Sequence, residues 1–210
     1  MTNKQGLIIV GAGGHAKVVL SVALLNSEKI AGYLDDNPSL LNKFIGEYPV
    51  IGNTSALASG FESAVVGLGD NLKRKTIVER YIFATKWKTL VHPTAYVHPS
   101  VILGKGTVVF AGAIIQPDVV IGEHCIINTG ATIDHDCVLG SYTHIAPGVH
   151  LAGGVKVGEG SFLGIGSVVI PEINIGDWAQ VAAGGVVINP IPAKKIVMGV
   201  PARERTICPQ

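Results

Sequence analysis

Asp134-His135-Asp136 sets an imidazole between two carboxylates in three consecutive residues. An imidazole with a pKa near 6.5 is mostly neutral at neutral pH and can take a proton, while an adjacent carboxylate can orient its ring, so the triplet has the parts of a general base. Of the other histidines, His92, His98 and His124 read as surface residues, and His144 and His150 as residues of an outer face. A second constellation lies near the amino terminus, where Gly11-Ala12-Gly13-Gly14-His15-Ala16 follows an apolar run and Asp35-Asp36 comes later. Gly11, Gly13 and Ala16 meet the pattern G-x-G-x-x-[G/A], and an acidic group about twenty residues on can accept from a ribose hydroxyl.

The elements that must position these residues are written in a six-residue rhythm. An aliphatic residue stands at every sixth position from Val91 to Val187, which neither a helix nor an ordinary strand produces but a hexapeptide parallel β-helix does. Glycine recurs every eighteen residues in two columns, Gly104 to Gly176 and Gly112 to Gly184, so three hexads make one triangular coil. Each column marks a place where the backbone needs positive φ or close approach. Residues eighteen apart then stack about 4.8 Å apart. A small or apolar residue two places before each aliphatic one (Ala113, Val119, Cys125, Ala131, Cys137) supplies a second inward series. His135, two residues after inward Ile133, falls on an outward corner with Gly153 above it, Gly154 above Asp136 and Pro117 below. A base facing a coil without side chains has room for a substrate.

The first ninety residues follow a different pattern. Strands are expected at Leu7 to Val10, Ile30 to Leu34 and Ala64 to Gly67, with helices at Lys17 to Leu25 and Lys73 to Tyr81; Gly69-Asp70-Asn71 follows the third strand. This βαβ series makes a small parallel sheet whose ligands bind at the carboxyl ends of its strands. It has room for one nucleotide-binding half, which favours a mononucleotide or nucleotide-sugar over a dinucleotide. The alternative is a tight turn with solvated aspartates. Of 210 residues, 48% are hydrophobic and 15% charged, which excludes disorder, and a net charge of +1 gives no basis for binding nucleic acid or a membrane surface. Neither a membrane span nor a signal-peptide core is visible, so a cytoplasmic location is expected. Cys125 and Cys137 fall in the inward series and Cys208 near the end, and no metal site is expected.

With Asn128-Thr129, Ile133 to Cys137, Ala152-Gly153-Gly154 and Met198-Gly199-Val200-Pro201-Ala202-Arg203, the chain resembles the left-handed β-helix acyltransferases. GAGGHA with Asp35-Asp36 and Gly69-Asp70-Asn71 narrows the resemblance to the sugar O-/N-acetyltransferases of the sialic acid and bacillosamine type. The resemblance implies an α/β small parallel sheet, half of a Rossmann-like fold, over residues 1–88. An all-β left-handed parallel β-helix with a carboxyl-terminal cap would follow over 89–210. It further implies a homotrimer with active sites between neighbouring prisms, acetyl-CoA as donor, no metal, and a nucleotide-linked amino sugar, with UDP the expected carrier, as acceptor. His135 would be the base and Asp136 its orienter, although the short Asp136 would need a modest shift to reach the ring. His144 would lie near the acetyl group or thioester; Gly153, Ile165 and Gly184 would line the pantetheine; Lys194, Lys195 or Arg203 would meet the CoA phosphates. Gly11, Gly13, Gly14, His15, Asp35, Asp36, Gly69 and Asn71 would hold the nucleotide-sugar.

Three readings follow. The first is an N-acetyltransferase of a nucleotide-linked 4-amino-6-deoxy sugar, in glycan biosynthesis, with direct attack on the thioester because Cys137 points inward. The second is an O-acetyltransferase of sialic acid or a polysaccharide sugar, which would need a nucleotide pocket less. The third is a non-enzymatic β-helix scaffold, which would need neither the His-Asp pair nor the double glycine.

Overall fold

The computed structural model describes residues 5–205; Cys208 and the first four residues lie outside the described residues. The chain forms two compact units that divide between Pro93 and Thr94. This is a little beyond the division after residue 88, because the segment to Val91 is held within the first unit by a hydrogen bond from Asn26 Nδ2 to Val91 O (2.9 Å).

In the first unit the elements run β1 (Leu7–Val10), α1 (Gly14–Leu25), β2 (Ile30–Leu34), β3 (Phe44–Ile45), β4 (Tyr48–Gly52), β5 (Ser63–Val66), α2 (Asn71–Arg80) and β6 (Lys86–Trp87). The sheet order is β3-β4-β2-β1-β5-β6, parallel except for the β3–β4 hairpin. The chain builds outward from β1 through β2 to β4 and then returns to place β5 on the other side of β1. That reversal makes the β1/β5 boundary a topological switch point, where a crevice opens at the carboxyl ends. Leu7, Ile8, Ile9 and Val10 are fully buried, as a central parallel strand covered on both faces requires. Both helices start earlier than the apolar pattern indicates. Helix α1 is N-capped by the backbone of Gly13, and α2 by Asp70, whose Oδ1 accepts from Lys73 N at 2.8 Å. The β3–β4 hairpin and two short 3-10 helices, Pro38–Leu40 and Thr54–Ser59, carry no periodic signal.

The second unit is the expected triangular coil. Two-residue strands pair in parallel with partners eighteen residues on, and they form three faces. Face I carries Val108–Val109, Ile126–Ile127, His144–Ile145, Phe162–Leu163, Gln180–Val181 and Ile196–Met198; face II runs from Tyr96–Val97 to Val186–Val187; face III runs from Ile102–Leu103 to Asn174–Ile175. From Val109 to Val187 every residue of the six-residue series is buried, and so is the second inward series from Ala113 to Ala179. The rhythm ends at Val187 because the last coil is shorter: Ile175 pairs with Ile191 and Val181 with Val197, sixteen residues on.

Every edge is turned by one residue at positive φ, and the three edges use different chemistry. Between faces I and II the column is Gly112, Gly130, Gly148, Gly166 and Gly184, with φ between +64° and +67°. Between faces II and III it is Asp118, Asp136, Gly154 and Glu172; between faces III and I it is Gly106, His124, Tyr142, Gly160 and Trp178. The other glycine column, Gly104 to Gly176, serves close approach instead, since a Cβ there would stand 2.4 to 2.6 Å from backbone atoms of the next coil. One expectation is overturned on the III–I edge: His124 is fully buried, because its left-handed backbone lays the ring along the axis, 5.6 Å from and parallel to Tyr142. The two columns are separable by mutation. Gly148→Ala is expected to lower unfolding stability by about 1–2 kcal/mol, the left-handed penalty alone. Gly140→Ala, whose Cβ would lie 2.6 Å from Glu159 N, is expected to cost clearly more; urea denaturation of the two variants checks the order.

Candidate active site

His135 lies on the II–III edge. The positive φ of Asp136 (+60°) turns its short side chain back onto the preceding residue, so His135 Nδ1 donates to Asp136 Oδ2 at 2.7 Å. The modest shift expected from the short side chain is therefore unnecessary. Asp134 Oδ1 accepts from His135 N at 2.8 Å, and the edge is tied to its neighbours by Asp136 N to Pro117 O (3.2 Å) and Gly154 N to His135 O (2.9 Å). With the proton placed on Nδ1 by the carboxylate, Nε2 carries the lone pair. A Cβ at position 153 would stand 2.8 Å from Nε2 and 2.7 Å from Cε1, so the ring occupies the volume that glycine leaves. A recess of about 370 Å³ opens there, lined by Asp134, His135, Asp136, Ala152, Gly153, Gly154, Pro171 and Glu172.

The imidazole does not keep its ordinary pKa. The hydrogen bond that the ring donates to Asp136 and then the negative charge of Asp134 push it upward, against a small opposing effect of burial. With the side chain 61% exposed, solvent screens these charges, so the direction is what matters. Cys137, by contrast, is pushed up to about 11 by burial and donates to Ala152 O, which leaves it no nucleophilic role.

Apart from Gly153, the residues expected to meet the donor lie elsewhere on the prism. His144 is on face I and is buried rather than exposed, a correction that follows from its packing: Phe162, stacked one coil above, meets it edge-on at 5.1 Å, and Asn128 Nδ2 lies 3.2 Å from its Nε2. Ile165 is exposed on the I–II edge, where its carbonyl accepts from Gly184 N at 2.8 Å. Arg203 and Lys195 line a recess of about 260 Å³ at the carboxyl-terminal end, where Lys195 is paired with Glu204. Lys194, next to Lys195, is the last positive-φ residue of the III–I edge (φ +63°), its backbone N–H bonded to Asp177 O, and is not among the residues that line this recess. Thus Gly153 is with His135 on one edge, and Ile165 and Gly184 are on another.

In the first unit, the switch point brings the Gly-rich turn and Gly69-Asp70-Asn71 together. Gly11 has φ +99° and no room for a Cβ, which would meet Leu68 at 2.6 Å, whereas a Cβ on Gly13 or Gly14 would meet nothing within 4 Å. The N-terminus of α1 thus presents bare backbone, with no side-chain cap and no acidic residue in its first turn. Behind it, buried Arg74 donates to Leu68 O and to Asn71 Oδ1. Burial first and Arg74 second lower the pKa of His15 to about 4, which keeps it neutral. The two aspartates hold the loops: Asp35 Oδ2 accepts from Ala12 N (2.7 Å), and Asp36 Oδ1 accepts from both the N–H and hydroxyl of Thr54 (2.8 Å each). A recess of about 510 Å³ beside the turn is lined by Ala12, Lys17, Leu20, Phe44, Ile45 and Gly46. Lys17 and Phe44 carried no signal in the sequence, since only the hairpin places Phe44 there. Among the described residues no group of three or more His, Cys, Asp or Glu side chains is placed to hold a metal, and no helix is long and apolar enough to cross a membrane.

Comparison with known proteins agrees with this geometry. Residues 6–81 match the PglD N-terminal domain, and residues 100–135 and 118–153 match the bacterial transferase hexapeptide (six repeats). The acetyltransferase domain of PglB from Neisseria gonorrhoeae is 36% identical with a TM-score of 0.90, over 97% of this chain and 100% of that one. PerB from Caulobacter crescentus, in complex with CoA and GDP-perosamine, is 41% identical with a TM-score of 0.91, over 96% and 97%. The chain therefore belongs to the left-handed β-helix sugar acetyltransferase family. Among curated proteins it is 39% identical over 113 residues to UDP-N-acetylbacillosamine N-acetyltransferase of Bacillus subtilis, over 51% of this chain. It is 33% identical over 102 residues to Uncharacterized protein L142 of Acanthamoeba polyphaga mimivirus, over 48% of this chain. The chain spans 52% and 20% of the lengths of these two relatives.

Two pH dependences follow. The raised pKa of His135 means that its protonated form persists above pH 6.5, so with His135 as the base an acid limb of turnover is expected with its midpoint above 6.5. Asp136→Asn should move that midpoint down and lower turnover; a pH–rate profile of each protein decides. For His15 the folded pKa lies below the unfolded 6.5, so the unfolded state binds the proton first as pH falls. Stability is expected to drop between pH 6.5 and about 4, and His15→Gln should flatten that slope in pH-resolved thermal melts.

Proposed function

We propose that the protein is an acetyl-CoA-dependent N-acetyltransferase acting on the amino group of a nucleotide-linked 4-amino-6-deoxy sugar, in the cytoplasm, in glycan biosynthesis. The observation that carries this reading is the His135–Asp136 pair under the bare backbone of Gly153, on a chain that also holds a nucleotide-type switch point. The names of the relatives agree with it: one is an N-acetyltransferase of UDP-N-acetylbacillosamine, and one was crystallised with CoA and GDP-perosamine.

In this mechanism the acceptor arrives as an ammonium and gives a proton to solvent. His135 Nε2 takes the second proton as the nitrogen lone pair attacks the thioester carbonyl, the C–N bond forms, and the C–S bond breaks. The proton on Nε2 passes to the departing thiolate, which regenerates the neutral base. Asp136 holds the ring and stabilises the transient imidazolium. Positioning of amine against carbonyl contributes several kcal/mol, on the order of the effect seen for oriented reactants. The nucleotide lies at the switch point, its phosphates on the α1 N-terminus at Gly13 and Gly14, with His15, Gly69 and Asn71 beside it and Gly11, Asp35 and Asp36 shaping the turn. UDP is the proposed carrier.

His144, Gly153, Ile165 and Gly184 bind the acyl and pantetheine portion, and Lys194 and Arg203 the CoA phosphates. Because Ile165 and Gly184 stand on a different edge from His135, one prism does not hold donor and base together, and a second copy supplies what the first lacks. The proposed assembly is a homotrimer with its active sites between prisms.

His135→Ala is expected to fold normally and lose roughly 10² to 10⁴ in turnover, the usual contribution of a general base. Thiol release from acetyl-CoA with UDP- and GDP-linked amino sugars measures this and ranks the two carriers. Acetylation of a hydroxyl acceptor alone would favour the O-acetyltransferase reading, and no acetyl-CoA binding would favour the scaffold. Sedimentation is expected to give about three times 21.8 kDa, and a fully active monomer would remove the shared site.

A further inference from the structure

The recess over His135 contains one carboxylate that the mechanism has left unused. Glu172 stands two coils above Asp136 in the same left-handed column, and its N–H donates to Gly153 O at 3.0 Å. Its side chain lies across the bare backbone below, since a Cβ on Gly154 would stand 3.5 Å from Glu172 Cγ. Asp134 is occupied by the backbone N–H of His135 and Asp136 by the ring N–H, whereas the Glu172 carboxylate engages no donor among the described residues. No lysine or arginine lines the recess. His135 and Glu172 thus line one open recess, in which the solvent-exposed Glu172 carboxylate has no partner among the described residues and is available to a ligand.

We propose that Glu172 receives the ammonium of the acceptor and restricts the recess to amines. This deepens the acetyltransferase reading and rests on it. An ammonium has three N–H groups and can give one to His135 Nε2 and another to Glu172 at once. A hydroxyl has a single proton; given to Nε2, it leaves Glu172 covered by the acceptor and unpaired, a penalty that discriminates more strongly than shape does. The carboxylate also favours the charged amine and so opposes its deprotonation. Asp134 and Asp136 offset this by making His135 a stronger base, closer to an amine that titrates like an α-amino group, near about 8.

The test is the kinetics of Glu172→Gln with acetyl-CoA and a nucleotide-linked amino sugar that the wild type acetylates. The KM for the amine is expected to rise about tenfold at pH 6.5, the scale of one hydrogen bond to a charged group, and the effect should shrink toward pH 9 as the ammonium disappears. The KM for acetyl-CoA should hold. Affinity for the matching nucleotide sugar with a hydroxyl in place of the amine should not fall, so that amine and hydroxyl are told apart less well. Glu172→Gly, which relieves a left-handed backbone at φ +62° and so does not endanger folding, should behave like Glu172→Gln. An unchanged KM for the amine, or equal changes for both substrates, overturns the role of Glu172 and leaves the N-acetyltransferase reading standing. A wild type that acetylates hydroxyl acceptors and no amine overturns both.

Discussion

A coil of three two-residue strands closes only if the chain turns sharply at each corner, and one residue at positive φ per edge accomplishes each turn. That constraint shapes the rest of the second unit. For residues other than glycine the left-handed conformation costs about 1–2 kcal/mol, so glycine would be the neutral choice on every edge. Only the I–II edge is uniformly glycine. The III–I edge has ring side chains, whose stacking along the axis, as in His124 on Tyr142, buries apolar surface that offsets the strain. On the II–III edge carboxylates occupy the turn with no comparable burial, and Asp136 and Glu172 both belong to that column. Strain without a packing return falls on the edge that carries His135, the proposed base.

The same turn explains how adjacent residues can form a His-Asp pair at all. In an extended strand neighbouring side chains point to opposite faces. At the corner, φ of +60° at Asp136 folds its carboxylate back to within 2.7 Å of His135 Nδ1, and the missing side chain at Gly153 leaves room for the ring. The recess is shallow and the ring largely exposed, so the charges around it act modestly in the free protein. A bound acceptor that excludes water would strengthen each of those interactions.

The first unit uses its charged groups mainly to hold loops. Asp35 and Asp36 have their oxygens on Ala12 and Thr54, and Arg74 is buried with its guanidinium on Leu68 O and Asn71. What faces open space is backbone, at Gly13 and Gly14 on the start of α1. Bare N–H groups at a helix start favour anionic groups such as phosphates, and the hairpin that carries Phe44 lines the recess beside them.

Much of this was legible in the chain. A strict six-residue period admits one architecture, and an eighteen-residue spacing fixes which residues stack, so the pairing of His135 with Gly153 and of His144 with Phe162 could be read directly. The βαβ strands were equally plain, because apolar runs between turn residues are local signals. Other features depended on three-dimensional packing. The burial of His124 and His144, the reach of Asp136 and the two uses of the glycine columns depend on backbone dihedrals and on the height of the next coil, which residue type alone does not specify. The β3–β4 hairpin and the shortened last coil were missed because neither has periodicity. Glu172 stacks above Gly154 by the same eighteen-residue spacing, but in the sequence it is one carboxylate among many, and only the structure shows that it lines the recess with His135 while bonding to no side-chain donor among the described residues. Sequence spacing thus determined the fold and placed His135 at an outward corner, whereas the sign of its pKa shift and the acidic lining of the recess were decided by tertiary structure, since both depend on where charges lie in space.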